Sequence, residues 1–392
     1  MICVRSINDY DSHSCFFTFP LRLCPAGVIY PMMGFRMKSL FGPRKSALCA
    51  ALLSALTLTA WQASAEETPP AKAPASLSQR TLGDGLYEMA YLPAQSALVV
   101  ASAQGFKAVN GGMIYRLDPA TLATKAETHT DLKNFGMAVA DDGKAFYTTN
   151  SLDGGVSKVD AQSGKVLQRL MFVGQDKDGD PIGAREVLFH NNQLFIGRVA
   201  DPGFISIVDA KTMTLKGRID NAGKWVTGLI YSPLTDRIYA ANGGGEILVI
   251  NPASHKIEQR WTPGDGKEYL FLNLAEDPAT GRLFVTDDSK AKTTLVFDER
   301  TGKVIKRIDG DALGIKFSAK RNEVYISQRE SKKVLQLDAT TYALKNAWSF
   351  ASHPNSLLLS PDQDTLYVSI KQDFNEDNST KGPDSVARIQ LN

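Results

Sequence analysis

Aromatic, amide and cationic side chains recur in the turn-rich stretches of this 392-residue chain. Tyr87, Phe135, Trp225, Tyr269 and Phe271 lie near Lys133, Arg185 and Lys224, while Arg198, Asn242, Asn273, Arg329, His353, Asn355 and Lys371 occupy comparable stretches. Aromatics interleaved with Lys and Arg suit single-stranded nucleic acid, because bases stack on ring faces for about 1–3 kcal/mol each while cations follow the phosphates. The competing use is structural. Aromatic rings at the junctions of sheets pack their neighbours, and exposed Lys and Arg are ordinary solvated residues.

Other chemistries are weaker. In DKDGDPIGARE, Asp176, Asp178 and Asp180 fall at the first, third and fifth positions of a calcium loop, but Pro181 replaces the required Gly and Val187 the final Glu. An acidic surface loop is expected there. G-x-S-x-G does not occur after residue 65, so no nucleophile elbow is present in that region. GGGE at 243–246 has no phosphate-binding Lys. His129, His190, His255 and His353 are too far apart to suggest a metal site or triad. Glu88 and Glu186 could converge as paired carboxylates for acid–base work, although hydrogen bonding to neighbouring backbone is the expected use. No cofactor or metal is expected.

Composition narrows the class. The chain is 43% hydrophobic and 22% charged, as in a soluble globular protein. From Met37, a basic stretch with Lys38, Arg44 and Lys45 precedes an apolar run from Ala47 to Ala60 and the small-x-small triplet Ala63-Ser64-Ala65. That layout predicts a secretory signal peptide over 33–65, too short for a comfortable membrane span. Residues 1–32 are expected to be a mis-assigned upstream extension, with Met33 or Met37 the start, and 66–76 a flexible leader. All four cysteines precede Glu66, so the mature chain is expected to have no disulfide or thiol chemistry. Six of the 44 basic and two of the 42 acidic residues also precede it, leaving 38 against 40. A uniformly basic nucleic-acid binder is not described by that balance.

The elements that would hold these residues are strands. A β-branched and aromatic run recurs seven times: LVVA at 98, FYTT at 146, LFIG at 194, IYAA at 238, LFVT at 283, VYIS at 324 and LYVS at 366. An apolar residue followed by Asp or Asn alternates with it, at Asp118, Asp160, Asp209, Asn251, Asp298 and Asp338, with Gln390 in the seventh place. Each Asp is expected to start a tight turn by accepting from nearby backbone N–H groups. Units of this length with four strands match propeller blades. The prediction is an all-β, seven-bladed β-propeller over 77–392. Its last blade lacks an outer strand, which the segment Leu77–Leu82 is expected to supply, closing the ring. In that arrangement the candidate residues fall where first strands begin, and Arg198, Asn242, Lys290, Arg329 and Lys371 fall in second-to-third strand loops on the same face.

The repeat text resembles YVTN-type propellers. LYEMAY at 86–91, GGMIYRLDPATL at 111–122, HTDLKNFG at 129–136, NAGKWVTGL at 221–229, DGKEYLFLNL at 265–274 and HPNSLLLS at 353–360 are similar to YncE-like periplasmic propellers. The resemblance implies a non-enzymatic periplasmic protein that binds DNA, preferentially single-stranded; a monomer with no stable membrane insertion after signal cleavage is expected. A periplasmic protein-interaction scaffold is the alternative, and a lactonase-like hydrolase using channel carboxylates and a metal a further one.

Overall fold

The computed structural model describes residues 76–105, 111–377 and 379–391. The expected extension, signal segment and all of the leader but Ser76 lie outside them. Seven four-stranded antiparallel sheets make up the described chain, with a single 3₁₀ turn at Pro93–Gln95. The first strands of blades one to seven are Leu86–Leu92, Met137–Val139, Gly183–His190, Val226–Ser232, Phe271–Asp277, Ile315–Ser318 and His353–Leu359, and they adjoin one another around a central channel. Blade seven takes Leu77–Thr81 as its outer strand, with Leu77 opposite Ile389 and Thr81 opposite Ser385. Apolar clusters lie between blades. Tyr239 and Trp261 of blade four pack with Phe271 and Phe297 of blade five, and Tyr367 and Val386 of blade seven pack with Leu86 and Leu98 of blade one.

The recurring four-residue runs are second strands, and each ends on a small residue: Ala101, Thr149, Gly197, Ala241, Thr286, Ser327 and Ser369. Where that residue carries a hydroxyl, it fastens the ring. Thr149 Oγ1 accepts from Gly136 N at 2.8 Å and donates to the Arg185 carbonyl of the next blade at 2.7 Å. Thr286 Oγ1 accepts from Asn273 N (3.0 Å) and donates to the Leu313 carbonyl (2.8 Å). Ser327 Oγ accepts from Gly314 N (2.7 Å) and donates to the Asn355 carbonyl (2.6 Å). In blade four the hydroxyl comes from the first strand instead, with Thr227 Oγ1 donating to Phe271 O at 2.6 Å. Such close approach excludes side chains. A Cβ on Gly136 would stand 2.4 Å from Arg185 O, and one on Gly314 2.5 Å from Asn355 O.

A second set of ties runs along the opposite face. Asp118, Asp160, Asp209, Asp298 and Asp338 each accept from a backbone N–H and a hydroxyl three residues on, and Asn251 accepts from backbone alone. These are the expected Asp-initiated turns. The residue after the Asp presents its carbonyl to the preceding blade. Tyr147 O–H donates to Ala210 O (2.8 Å), Arg282 Nη1 to Ala339 O (2.9 Å) and Tyr367 O–H to Pro119 O (2.8 Å).

At one such junction the acceptor is a buried carboxyl. Tyr239 O–H points at Glu299 Oε2 (3.5 Å), Ser232 Oγ donates to Glu276 Oε1 (2.6 Å), and the two carboxyls are hydrogen-bonded to each other. Sharing that bond requires a proton. Burial raises Glu299 to about 8, with the charge of Glu276 adding to the effect, and burial also raises Glu276. The folded protein thus holds a proton where an unfolded carboxyl with the ordinary value of 4.5 has lost it. This stabilisation is complete below that ordinary value and is lost as pH rises through about 8. Glu299→Gln should therefore flatten the decline of the denaturant midpoint on going from about pH 5 to about pH 9. An unchanged decline would place the titration elsewhere. Ser327→Ala should lower stability by about 1–3 kcal/mol in urea unfolding, because it strands the buried Gly314 N–H and weakens a junction.

Candidate functional site at the channel mouth

The first strands leave their ladders at one level of the channel. Register breaks fall between Leu86 and Met89, Ala184 and Val187, Val226 and Gly228, Phe271 and Leu274, and Pro354 and Leu357. In blades two and six the first strand begins only after Gly136 and Gly314. A bulge re-aims the residues it releases, and here those residues are Tyr87-Glu88, Arg185-Glu186, Leu272-Asn273 and Asn355-Ser356. With Phe135, Asp288, Leu313 and Arg329 they line a cavity at the mouth that opens to solvent. A second cavity shares Glu88, Glu186, Asn273 and Ser356 and adds Lys316.

Burial raises Glu186 to about 7, with the nearby Glu88 charge adding to it while Arg185 and Lys316 pull the other way. Burial likewise raises Asp288 to about 7, against the pull of Arg329. Glu88 and Glu186 were expected to bond neighbouring backbone. Instead Glu88 Oε1 accepts from the Ser356 hydroxyl at 2.8 Å, and no described donor reaches the Glu186 carboxyl. Arg185 Nη1 donates to the Thr227 carbonyl.

Much of the expected stacking surface is used inside the protein. Tyr87 (4% exposed), Phe135 (1%), Tyr269 (6%) and Phe271 (0%) are interior rings, Tyr87 and Phe135 lying 4.4 Å apart and Tyr269 and Phe271 5.5 Å apart. Arg198, Asn242 and Lys371, expected in open loops, lie in second strands and are buried. Arg198 donates to the Gly183 and Ile182 carbonyls (3.2 and 2.6 Å) and lies over Phe172, and Asn242 ties Ala222 O and Gly244 N. Lys371 Nζ sits 3.7 Å from the Tyr87 ring centroid and donates to Leu86 O (3.3 Å). Lys133 Nζ caps the Ala103 and Gly105 carbonyls at 2.7 and 2.8 Å, and burial lowers its pKa. Each of these cations closes off backbone acceptors beside a loop, which removes it from the rim.

The remainder stay at the mouth. Lys224 is exposed and Trp225, Arg329 and His353 are half-buried. His353 links Arg329 O through Nδ1 (2.9 Å) and Asp373 Oδ1 through Nε2 (2.6 Å). Asn273 Nδ2 donates to Leu313 O (2.9 Å) and Asn355 Nδ2 to Ser356 Oγ (3.1 Å). Asp288, Ser356 and Lys316 were not singled out from sequence. Their only signal is register, since Asp288 directly follows a second strand, Ser356 lies three residues past a first-strand start and Lys316 one. Among the described residues no group of three or more His, Cys, Asp or Glu is placed to hold a metal ion. In the 176–186 loop, Asp176 Oδ1 instead accepts from Asp178 N and Asp180 N (2.9 and 3.0 Å).

No protein-family model matches the chain. It is 37% identical over 319 residues to the YncE protein of Salmonella typhimurium strain LT2, spanning 80% of this chain and 90% of that protein. Identity to YncE of Escherichia coli K12 is 35% over 319 residues, with the same shares covered. Antigen Lp49 of Leptospira interrogans is a more distant relative, 24% identical over 237 residues, 56% of this chain and 49% of the antigen. With that identity carried across a seven-bladed ring, the chain belongs to the YncE family.

Proposed function

We propose that the protein is a non-enzymatic binding propeller of the periplasm whose mouth face takes single-stranded DNA through Trp225 and the rim cations. Trp225 carries the reading. Its backbone is left-handed (φ 51°), an outlier for a bulky residue, and is held by bonds from Trp225 N to Ala200 O (2.9 Å) and from Gly243 N to Trp225 O (3.0 Å). Lys224 Nζ stands 4.1 Å from the ring centroid. A half-buried indole with an exposed cation over its ring suits a stacked base with its phosphate alongside. Lys267 and Lys290 are exposed on loops of the same face, and Arg329 and His353 are half-exposed. The basic, apolar and small-residue layout of 37–65 supports the periplasmic half of the reading.

Acidic neighbours, among them Asp265, Glu268 and Glu330, divide these cations. The footprint is therefore narrow, about three phosphates, and the slope of log K against log salt should be shallow, about −2. Fluorescence anisotropy with labelled oligonucleotides over a salt series measures this. Trp225→Ala should weaken binding by about 1–3 kcal/mol, and Lys224→Gln should reduce the salt slope by less than about one. Absence of binding to every oligonucleotide at low salt would refute the reading.

A further inference from the structure

Each blade ends at the perimeter in an outer strand beyond which no described strand lies. Such edges invite pairing and are normally blunted by charge. In blades one, three, four and five the outer strand carries two or more charged side chains. Those of blades six and seven carry Lys345 and Arg80, and each has a single exposed large apolar side chain, Leu344 and Leu77. Blade two departs from this. Its outer strand, Val166–Met171, has Arg169 as its one charged residue. Arg169 is folded back on the protein, donating to Ser157 Oγ at 3.0 Å and to the two Asp131 carboxylate oxygens at 2.6 and 2.5 Å. Among the described residues, three of the eight exposed large apolar side chains fall within seven positions here: Leu167 (54% exposed), Met171 (46%) and Val173 (100%).

Backbone groups line the same edge. Phe172 N donates to Gly154 O (2.9 Å), continuing the ladder that pairs Leu170 with Val156. Antiparallel bonding alternates along a strand, so the N–H and C=O groups of Arg169, Met171 and Val173 point away from the sheet. Leu170 and Phe172 pack against the cluster shared with blade three, which leaves Met171 and Val173 on the other face. Leu167 is the extra residue of a bulge opposite Lys158 and Val159, and it ends the regular edge.

The flanks of this edge point to its occupant. Exposed Lys165 precedes the strand, while the loop beyond it holds Asp176, Asp178 and Asp180 against Lys177 alone. A second copy running antiparallel brings the lysine end of each edge to the acidic loop of the other. The symmetric register that uses all three outward-pointing residues sets Met171 on the two-fold axis, with Arg169 opposite Val173. We propose that the outer edge of blade two is a self-association surface, through which two copies of this chain pair antiparallel over residues 169–173. The contact is one short strand and its flanks, so the dimer is reversible, with a dissociation constant of about 1–100 µM. The monomer expected from sequence is then its dilute form. This edge lies on the perimeter and not at the mouth, so the association stands or falls independently of nucleic-acid binding.

Sedimentation velocity of the purified protein from about 1 to about 300 µM tests the assignment, with a reversible monomer–dimer equilibrium expected. Met171→Lys places two like charges on the axis and should weaken dimerisation at least about tenfold, while Leu344→Lys, on the outer strand of blade six, should leave it unchanged. Lys165→Glu acts twice across the axis and should weaken it about threefold to tenfold, and Asp178→Lys added to it should restore the loss. Asp178 suits this exchange because Asp176, through Oδ1, is the residue that holds the loop backbone. Circular dichroism and melting temperatures check that the variants fold. A monomer at every concentration, a dimer indifferent to Met171→Lys, or a charge exchange that restores nothing would overturn the proposal.

Discussion

Seven wedge-shaped sheets can share an axis only if their inner ends approach to hydrogen-bonding distance, and the hydroxyl clasp between blades is what that approach rests on. In three junctions one oxygen serves two masters: it receives an N–H at or just before the first strand of its own blade and donates to a carbonyl at or just before the first strand of the next. Buried backbone groups near an axis lack water, so each must find such a partner. The clasp also explains why glycine stands at 136 and 314, where any side chain would push the neighbouring carbonyl away. The released bulge residues face the channel because the clasp, rather than the strand ladder, satisfies their backbone.

The repeat was legible because it is made of local signals. Runs such as LFVT and VYIS, and Asp before a tight turn, announce strand and turn without tertiary knowledge. The reason for their last letter was not legible. Thr286 and Ser327 look like ordinary strand formers until the carbonyl of the next blade, supplied by Leu313 or Asn355, is in place. The Tyr of FYTT and LYVS is likewise a strand residue in sequence and an inter-blade donor in space.

Site residues were harder to read for a related reason. Arg198, Asn242 and Lys371 sit within two positions of the last residue of a repeated second-strand run, so their polarity suggests an open loop. A loop that turns sharply over a sheet end exposes carbonyls inward, however, and a long cation or an amide is what satisfies them. Phe135 and Phe271 met the same fate, since rings near the axis fill the narrowing space between blades. Trp225, whose backbone is left-handed, is instead half-buried.

The close approach of Gly136 and Gly314 to the next blade bears on how such a chain can change over generations. Duplication is an easy event for a repetitive gene, and each unit is free to drift in its letters, as NPASH and DERTGK in the same turn attest. An eighth unit, however, would enlarge the angle shared among the sheets and draw every inner carbonyl away from its hydroxyl at once. A sixth-unit ring would press the same atoms into collision. Copy number is thus under a sharper constraint than sequence, and divergence is channelled into loops and lining residues, where new ligands can be acquired without touching the count.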